Sequence, residues 1–367
     1  MSAVRTVDVQ LGERSYPIYI GEDLLQQAGT YLDNHRISKQ SPVLIVTDEH
    51  VADPYLAIVE QSLTASGFTV VTAIVGAGEQ SKSMSVFEEV MTKAIQGGLD
   101  RKSTVIALGG GVVGDLAGFV AGSYMRGIRF IQMPTSVLAH DSSVGGKVAI
   151  NHRLAKNMIG VFHQPEFVLY DLTTLQTLPK REVYAGLAEM VKHGLIWDKE
   201  FAYWCLEHAD ELKSVDMTAM GYGLEKGCSI KAIVVSRDER ENDLRAILNL
   251  GHTIGHAIEA VAGYGEIIHG EAISIGMVGS ALIGEQLGGE PGLVDTTRHM
   301  LTALGLPTVL PQRLDVDQIM EAMMHDKKFQ EGSMTFVVPK SIGVVEINHN
   351  VDYDLVRWVV EQLKEEV

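Results

Sequence analysis

The segment Asn249-Leu-Gly-His252-Thr-Ile-Gly-His256 sets two imidazoles four residues apart, which puts both on one face of a helix and within reach of a common centre. Another histidine follows in Ile268-His269-Gly-Glu271, and upstream Gly186-Leu-Ala-Glu189-Met-Val-Lys192-His193 puts a carboxylate and a lysine on one helical face. A carboxylate with two imidazoles is a standard three-ligand set for catalytic zinc, the fourth position being open to substrate or water. In such a site His256 is either a ligand or a residue that supports one. The competing reading of any single histidine is a surface residue or a hydrogen-bonded core residue.

A second chemistry is written in Thr104-Val-Ile-Ala-Leu-Gly-Gly-Gly-Val-Val-Gly-Asp115, where an apolar run enters glycines spaced G-x-G-x-x-G at Gly109, Gly111 and Gly114. Glycines let the backbone turn tightly and approach a phosphate, and the helix that follows offers unpaired N–H groups to the anion. Nucleotide binding is the expectation, with simple close packing as the alternative. Asp141-Ser-Ser-Val-Gly-Gly-Lys147 and Lys156-Asn157-Met-Ile-Gly160 read as loops suited to phosphate or carboxylate, or as ordinary turns with a solvated lysine. Arg126, and the turn Gly78-Glu79-Gln80-Ser81-Lys82, fit the same use or an ordinary turn. Lys231 and the run Asp238-Glu-Arg-Glu241 also fit a charged helix face.

These groups need elements to position them. Residues 1 to about 172 alternate strand and helix signals, with apolar β-rich runs at 43–47, 69–75, 104–108, 128–133 and 167–170. That alternation predicts an α/β domain with a largely parallel sheet over 1–177. Ser85 and Glu88 suggest a capping box for a helix that ends near Gly97-Gly98. Around Pro179 the apolar spacing turns helical, as in Val183, Leu187, Met190 and Val191, and again in Ile247, Ile254, Ala257, Ile258 and Val261. A helical domain over 178–367 follows, interrupted by a hairpin near Met334–Pro339 and Gly343–Ile347.

A chain of 367 residues is long enough for two cores, and 46% apolar against 21% charged residues excludes a disordered polymer. A formal net charge of -17 argues against nucleic-acid and anionic-membrane partners. The N-terminal residues alternate like a strand without the apolar stretch of a secretory signal, so a cytoplasmic location is expected. Cys205 and Cys228 are too few for a disulfide framework and read as small buried residues.

Taken in order, the strings from Gly78-Glu-Gln-Ser-Lys82 through the glycine turn, Pro134-Thr-Ser136, Asp141–Lys147, Lys156–Gly160, Gly186–Lys192 and Asn249–His256 to His269-Gly-Glu271 resemble the 3-dehydroquinate synthase family over nearly the whole chain. The resemblance implies an N-terminal Rossmann-like domain, a mainly α-helical C-terminal domain and a homodimer. It implies Zn²⁺ or Co²⁺ held by Glu189, His252 and His269. NAD would lie along Gly78, Glu79, Gln80, Ser81, Lys82, Gly110, Gly111, Val112, Val113, Gly114, Asp115, Thr135, Ser136, Lys147, Lys156, Thr174, Leu175, Gln176 and Thr177, with Asp48 on the adenosine ribose.

The family substrate is a sugar phosphate, 3-deoxy-D-arabino-heptulosonate 7-phosphate, which is transiently oxidised, loses phosphate, is reduced again and closes to a carbocycle. By matching motif, Lys147, Asn157, Asn249, His256 and Arg126 would hold its phosphate, with Lys327 or Lys328 joining them. Lys231 and Arg245 would grip its carboxylate, and Asp141 and Lys192 would orient hydroxyls. Departures from the family pattern are a shorter loop before Asp141, Ala77 for a commoner Asp or Pro, and His50 where some members carry Asn. The rivals are a metal-dependent polyol or alcohol dehydrogenase, another sugar-phosphate cyclase, and a non-catalytic nucleotide sensor. The Lys147, Lys156-Asn157, Lys231 and Arg245 group disfavours the dehydrogenase, retention of Lys231 and Arg245 disfavours the other cyclases, and the intact candidate metal ligands disfavour the sensor.

Overall fold

Strands that are apolar at every position need cover on both faces, and the first part of the chain supplies it. The computed structural model describes residues 3–263, 265–325, 329–330 and 333–364. The chain divides into two compact units, one of Met1–Leu178 with Met220–Arg240 and one of Pro179–Ala219 with Glu241–Val367.

In the first unit a seven-stranded sheet has the order β1-β2-β9-β6-β5-β3-β4. Its strands are β1 (Arg5–Val9), β2 (Tyr16–Gly21), β3 (Val43–Asp48), β4 (Val70–Val75), β5 (Thr104–Gly109), β6 (Arg129–Pro134) and β9 (Phe167–Asp171). Only the β1–β2 pair is antiparallel; the others run parallel. Between β4 and β5 lies helix α1 (Met84–Gln96), and after β5 comes α2 (Gly111–Ser123). Leu44, Val46, Val105 and Ala107 face one side, against Leu116, Ala117 and Val120 of α2. Val43, Ile45, Ile106 and Leu108 face the other, against Leu24, Leu32, Val59 and Leu63. Each such buried aliphatic side chain contributes about 1.5–3 kcal/mol.

Two sequence expectations need correction. The cap of α1 is Ser83, whose extended backbone lets its hydroxyl accept from Val86 N–H, so Ser85 already sits inside the first turn. The loop expected at 141–147 is a turn only over 143–146, and from Lys147 on, as around Lys156, the chain is strand. The two stretches form an antiparallel ribbon of β7 (Lys147–His152) and β8 (Ala155–Phe162), irregular between Ile150 and His152, with Asn157 at φ +55°.

Residues 220–240, which fall within the helical domain expected over 178–367, pack instead with the first unit. They belong to a helix that spans Met217–Arg237 and its continuation. Arg5 Nη1 donates to Glu225 Oε2 at 2.5 Å, and Glu239 accepts from Arg14 Nη2 at 2.7 Å and from Gln164 Nε2 at 2.9 Å.

The second unit is built on α3 (Lys180–Trp197), then, past α4 (the Met217–Arg237 helix just described), on α5 (His252–Ala262) and α6 (His269–Gln286). A three-stranded antiparallel sheet of β10 (Phe329–Gln330), β11 (Ser333–Ser341) and β12 (Val344–Asp352) completes it. Among the described residues no helix is long and apolar enough to cross a membrane.

Candidate functional site

Three helices of the second unit converge because glycine removes the atoms that would hold them apart. A Cβ on Gly270, next to His269, would lie 2.1 Å from the Ala185 carbonyl oxygen of α3. Gly251, at φ +77°, ends the turn before α5, and a Cβ there would lie 2.6 Å from Ile273 O of α6. Gly276 of α6 meets Gly251 O in the same way, at 2.0 Å. Only glycine tolerates these approaches.

The consequence is that Glu189 of α3, His252 at the start of α5 and His269 at the start of α6 meet. Glu189 Oε1 lies 3.5 Å from His252 Nε2 and 3.2 Å from His269 Nε2. The three ligand atoms fall within 4.8 Å of one another. The far side of each imidazole is anchored: His252 Nδ1 donates to Leu250 O at 3.0 Å, and His269 Nδ1 to Glu259 Oε2 at 3.0 Å. Each ring thereby turns its Nε2 towards Glu189. Glu189 Oε2 forms an ion pair with Lys192 Nζ, both side chains being almost fully buried.

One carboxylate and two imidazoles, each oriented from behind, fit a divalent cation of the zinc type. Burial, then the Lys192 charge, lower the pKa of His252, so it stands neutral and ready to coordinate. Burial also opposes charge on His269, but the hydrogen bonds and charges of Glu189 and Glu259 outweigh it and hold the ring at about 9 while no cation is bound. A second group, His256, Glu259 and His269, has ligand atoms equally close together. Glu259 escaped the sequence reading, although the pattern His252, His256, Glu259 keeps it on the histidine face of α5.

In the first unit, the chain leaves β3 for β4 on one side and passes through β5 to β6 on the other, so the carboxyl ends of β3 and β5 flank the point where strand order reverses. Open α/β sheets bind ligands there. Asp48 ends β3, where its carboxylate caps a short helix through His50 and Val51 N–H at 2.9 and 3.0 Å. At the end of β5, Gly110 caps α2, and Gly111, Val112, Val113 and Gly114 form its first turn.

Thr135 N–H donates to Gly109 O at 3.1 Å, and Ser136 O accepts from Tyr170. Gly78 turns at φ +97° ahead of the 3₁₀ turn Glu79–Ser81. Gln80 Nε2 donates to Ala77 O and Ser81 Oγ to Gly76 O, each at 2.5 Å. The segment Leu172–Thr177 is a 3₁₀ helix in which Thr174 O and Thr177 Oγ1 meet Tyr55 OH; Leu175 is buried, while Gln176 and Thr177 are exposed.

Lys82 is 4% exposed, and its ammonium reaches Asp115 Oδ2 at 2.6 Å and Asn157 Oδ1 at 2.5 Å. Asn151 bridges Glu79 Oε1 and Asn157 N–H, at 2.7 and 2.8 Å. The glycine turn, the Gly78–Lys82 turn and the β7–β8 ribbon are thus one polar network. Lys147, first in β7, and Lys156, second in β8, are exposed.

Lys231 Nζ donates to both Asp141 Oδ2 and Asp141 O at 2.6 Å, so these two predicted substrate groups meet within the first unit. Arg126 is exposed at φ +71°, after Met125 at φ +49°. In the second unit Arg245 is 2% exposed and Asn249 Nδ2 donates to Glu241 Oε1 at 3.0 Å; the His252 and His256 ring centroids lie 5.3 Å apart. Lys327 and Lys328 lie outside the described residues.

Comparison with known proteins fits this geometry. Residues 72–185 match the family model for the 3-dehydroquinate synthase N-terminal domain, and 186–329 that for its C-terminal domain. A 3-dehydroquinate synthase of Desulforamulus reducens is 49% identical over 352 residues, 94% of this chain and 96% of that protein. One from Geobacillus thermodenitrificans is 44% identical, over 97% of this chain and 98% of that protein. Among solved structures, 2-deoxy-scyllo-inosose synthase complexed with carbaglucose-6-phosphate, NAD⁺ and Co²⁺ superposes with a TM-score of 0.90 at 27% identity, covering 98% of this chain and 100% of that one.

Proposed function

The chain belongs to the 3-dehydroquinate synthase family, and on that premise we propose that it converts 3-deoxy-D-arabino-heptulosonate 7-phosphate to 3-dehydroquinate and inorganic phosphate, with NAD⁺ and a divalent cation, Zn²⁺ or Co²⁺, as its cofactors. The observation that carries the reading is the meeting of His252 Nε2 and His269 Nε2 at one oxygen of Glu189. Bound NAD⁺ supplies reversible hydride acceptance, and the cation polarises substrate oxygens.

The residues themselves bind and orient. Lys147, Asn157, Asn249, His256 and Arg126 hold the phosphate as charged and amide donors. Arg245, with Lys231, takes the carboxylate, where a guanidinium offers two parallel hydrogen bonds. Asp141 is fixed by Lys231 and Glu189 by Lys192, so neither carboxylate needs to reorganise when substrate arrives. The turns Gly78–Lys82 and Gly110–Asp115, with Thr135, Ser136 and Thr174–Thr177, line the dinucleotide, and Asp48 takes the ribose.

Incubation with the heptulosonate phosphate and trace NAD⁺ tests this. Phosphate release in large excess over NAD⁺, with no lasting nicotinamide absorbance at the reduced band, is expected; one NADH for each substrate consumed would make the enzyme a dehydrogenase instead. Met158, Val161 and Phe162, all exposed on β8, support association into a homodimer, which a solution mass of one chain would refute. The free, buried thiols of Cys205 and Cys228 support a reducing cytoplasmic location.

A further inference from the structure

Resting on the reading that Glu189, His252 and His269 hold the cation, we infer that Glu259 is a positioning residue for that centre, fixing the ring plane and tautomer of His269 so that Nε2 coordinates. The His269 side chain is 31% exposed, and its neighbour Gly270 contributes no side chain to hold it.

What orients the ring is the contact between His269 Nδ1 and Glu259 Oε2 at 3.0 Å, made by a carboxylate that is itself only 12% exposed. An ionised carboxylate only accepts, so the Nδ1 proton is committed to Glu259, and Nε2, which faces Glu189 Oε1 at 3.2 Å, is the nitrogen left to exchange its proton for the cation. His252 is oriented differently, through the neutral Leu250 carbonyl. The two imidazoles therefore differ as ligands, and negative charge behind His269 makes it the stronger donor.

The alternative role for Glu259 is that of a ligand, together with His256 and His269. That set competes for the same His269 ring, so substitutions separate the two roles. Metal-free E259Q, E259L and E189Q proteins are titrated with Co²⁺ against a chelator while the visible Co²⁺ bands are recorded. Folding is checked by circular dichroism, and E259Q preserves shape if E259L does not fold.

We expect E259L to weaken Co²⁺ binding roughly 10–100-fold and to change the bands. E259Q should recover most of the affinity and the wild-type band shape, because its amide oxygen still accepts from Nδ1–H. E189Q should lose the cation. Wild-type affinity and spectrum in both Glu259 variants, with E189Q still deficient, would overturn the inference and leave the metal reading standing. Retention of Co²⁺ by E189Q together with its loss in E259Q would instead place the ion on the His256 set, and both would fall.

Discussion

Glu189 presents its two oxygens to different charges, one to the imidazoles and one to the Lys192 ammonium. Without a cation this arrangement keeps His269 protonated up to about 9. Metal entry must expel that proton, so affinity rises with pH until about 9 is passed. Calorimetric titration near neutrality, in buffers of different ionisation enthalpy, should count about one proton released per ion; none released would refute the coupling. The same raised pKa makes a contribution to the stability of the metal-free protein that is complete below the unfolded value of 6.5 and lost as pH rises through about 9. Its urea midpoint should fall over that interval, and a flat profile would contradict the pairing. At Arg245, substitution by Ala should lower kcat/KM about 100-fold, since hydrogen bonds between charged groups are worth about 1.5–3 kcal/mol. Near-normal kinetics would remove it from the carboxylate grip.

The elements act through contacts that few residue types allow. Gly270→Ala drives a methyl group into the Ala185 carbonyl, so α6 must retreat from α3. A loss of about 1–3 kcal/mol in unfolding free energy is expected, and Co²⁺ affinity should fall with it; an unchanged affinity would mean that the helix spacing does not set the ligand geometry. In the first unit, Lys82 ties the β7–β8 ribbon to the start of α2. Burial pushes the Asp115 carboxyl up while Lys82 pulls it back. K82M strands that carboxylate and should cost about 3 kcal/mol, much of it recovered in K82M/D115N. If the double variant is no more stable than the single one, the ion pair is not what joins these elements.

The helices that carry the candidate ligands were legible because His252, His256 and Glu189 sit in helical periods marked by glycines. The ribbon was not, because the polar run Lys156-Asn157 carries the composition of a loop although it lies in a strand, and Gly145-Gly146 just ahead of β7 reinforces the loop reading. Glu259 was missed because a carboxylate on a helix face has no local sign that it will meet a histidine ten residues on.

At the scale of the molecule, each of the two compact units carries its own candidate ligand. Hydrogen exchange followed by mass spectrometry should show protection in α3, α5 and α6 on adding Zn²⁺, and at the ends of β3 and β5 on adding NAD⁺. Equal protection everywhere with either ligand would contradict the assignment of the cation to the second unit and of NAD⁺ to the first. The α/β character of the first unit was readable from its alternating runs. The membership of 220–240 was not, since a helix buried along most of its length announces that it will be covered without saying by which core. That segment has an outcome for biogenesis. A ribosome must finish Pro179–Ala219, which belongs to the other unit, before it delivers the residues that give Arg5 its Glu225 and Asp141 its Lys231. A nascent chain halted at Leu178, or a gene truncated there, would carry every strand of the large sheet and still lack the helix that completes it.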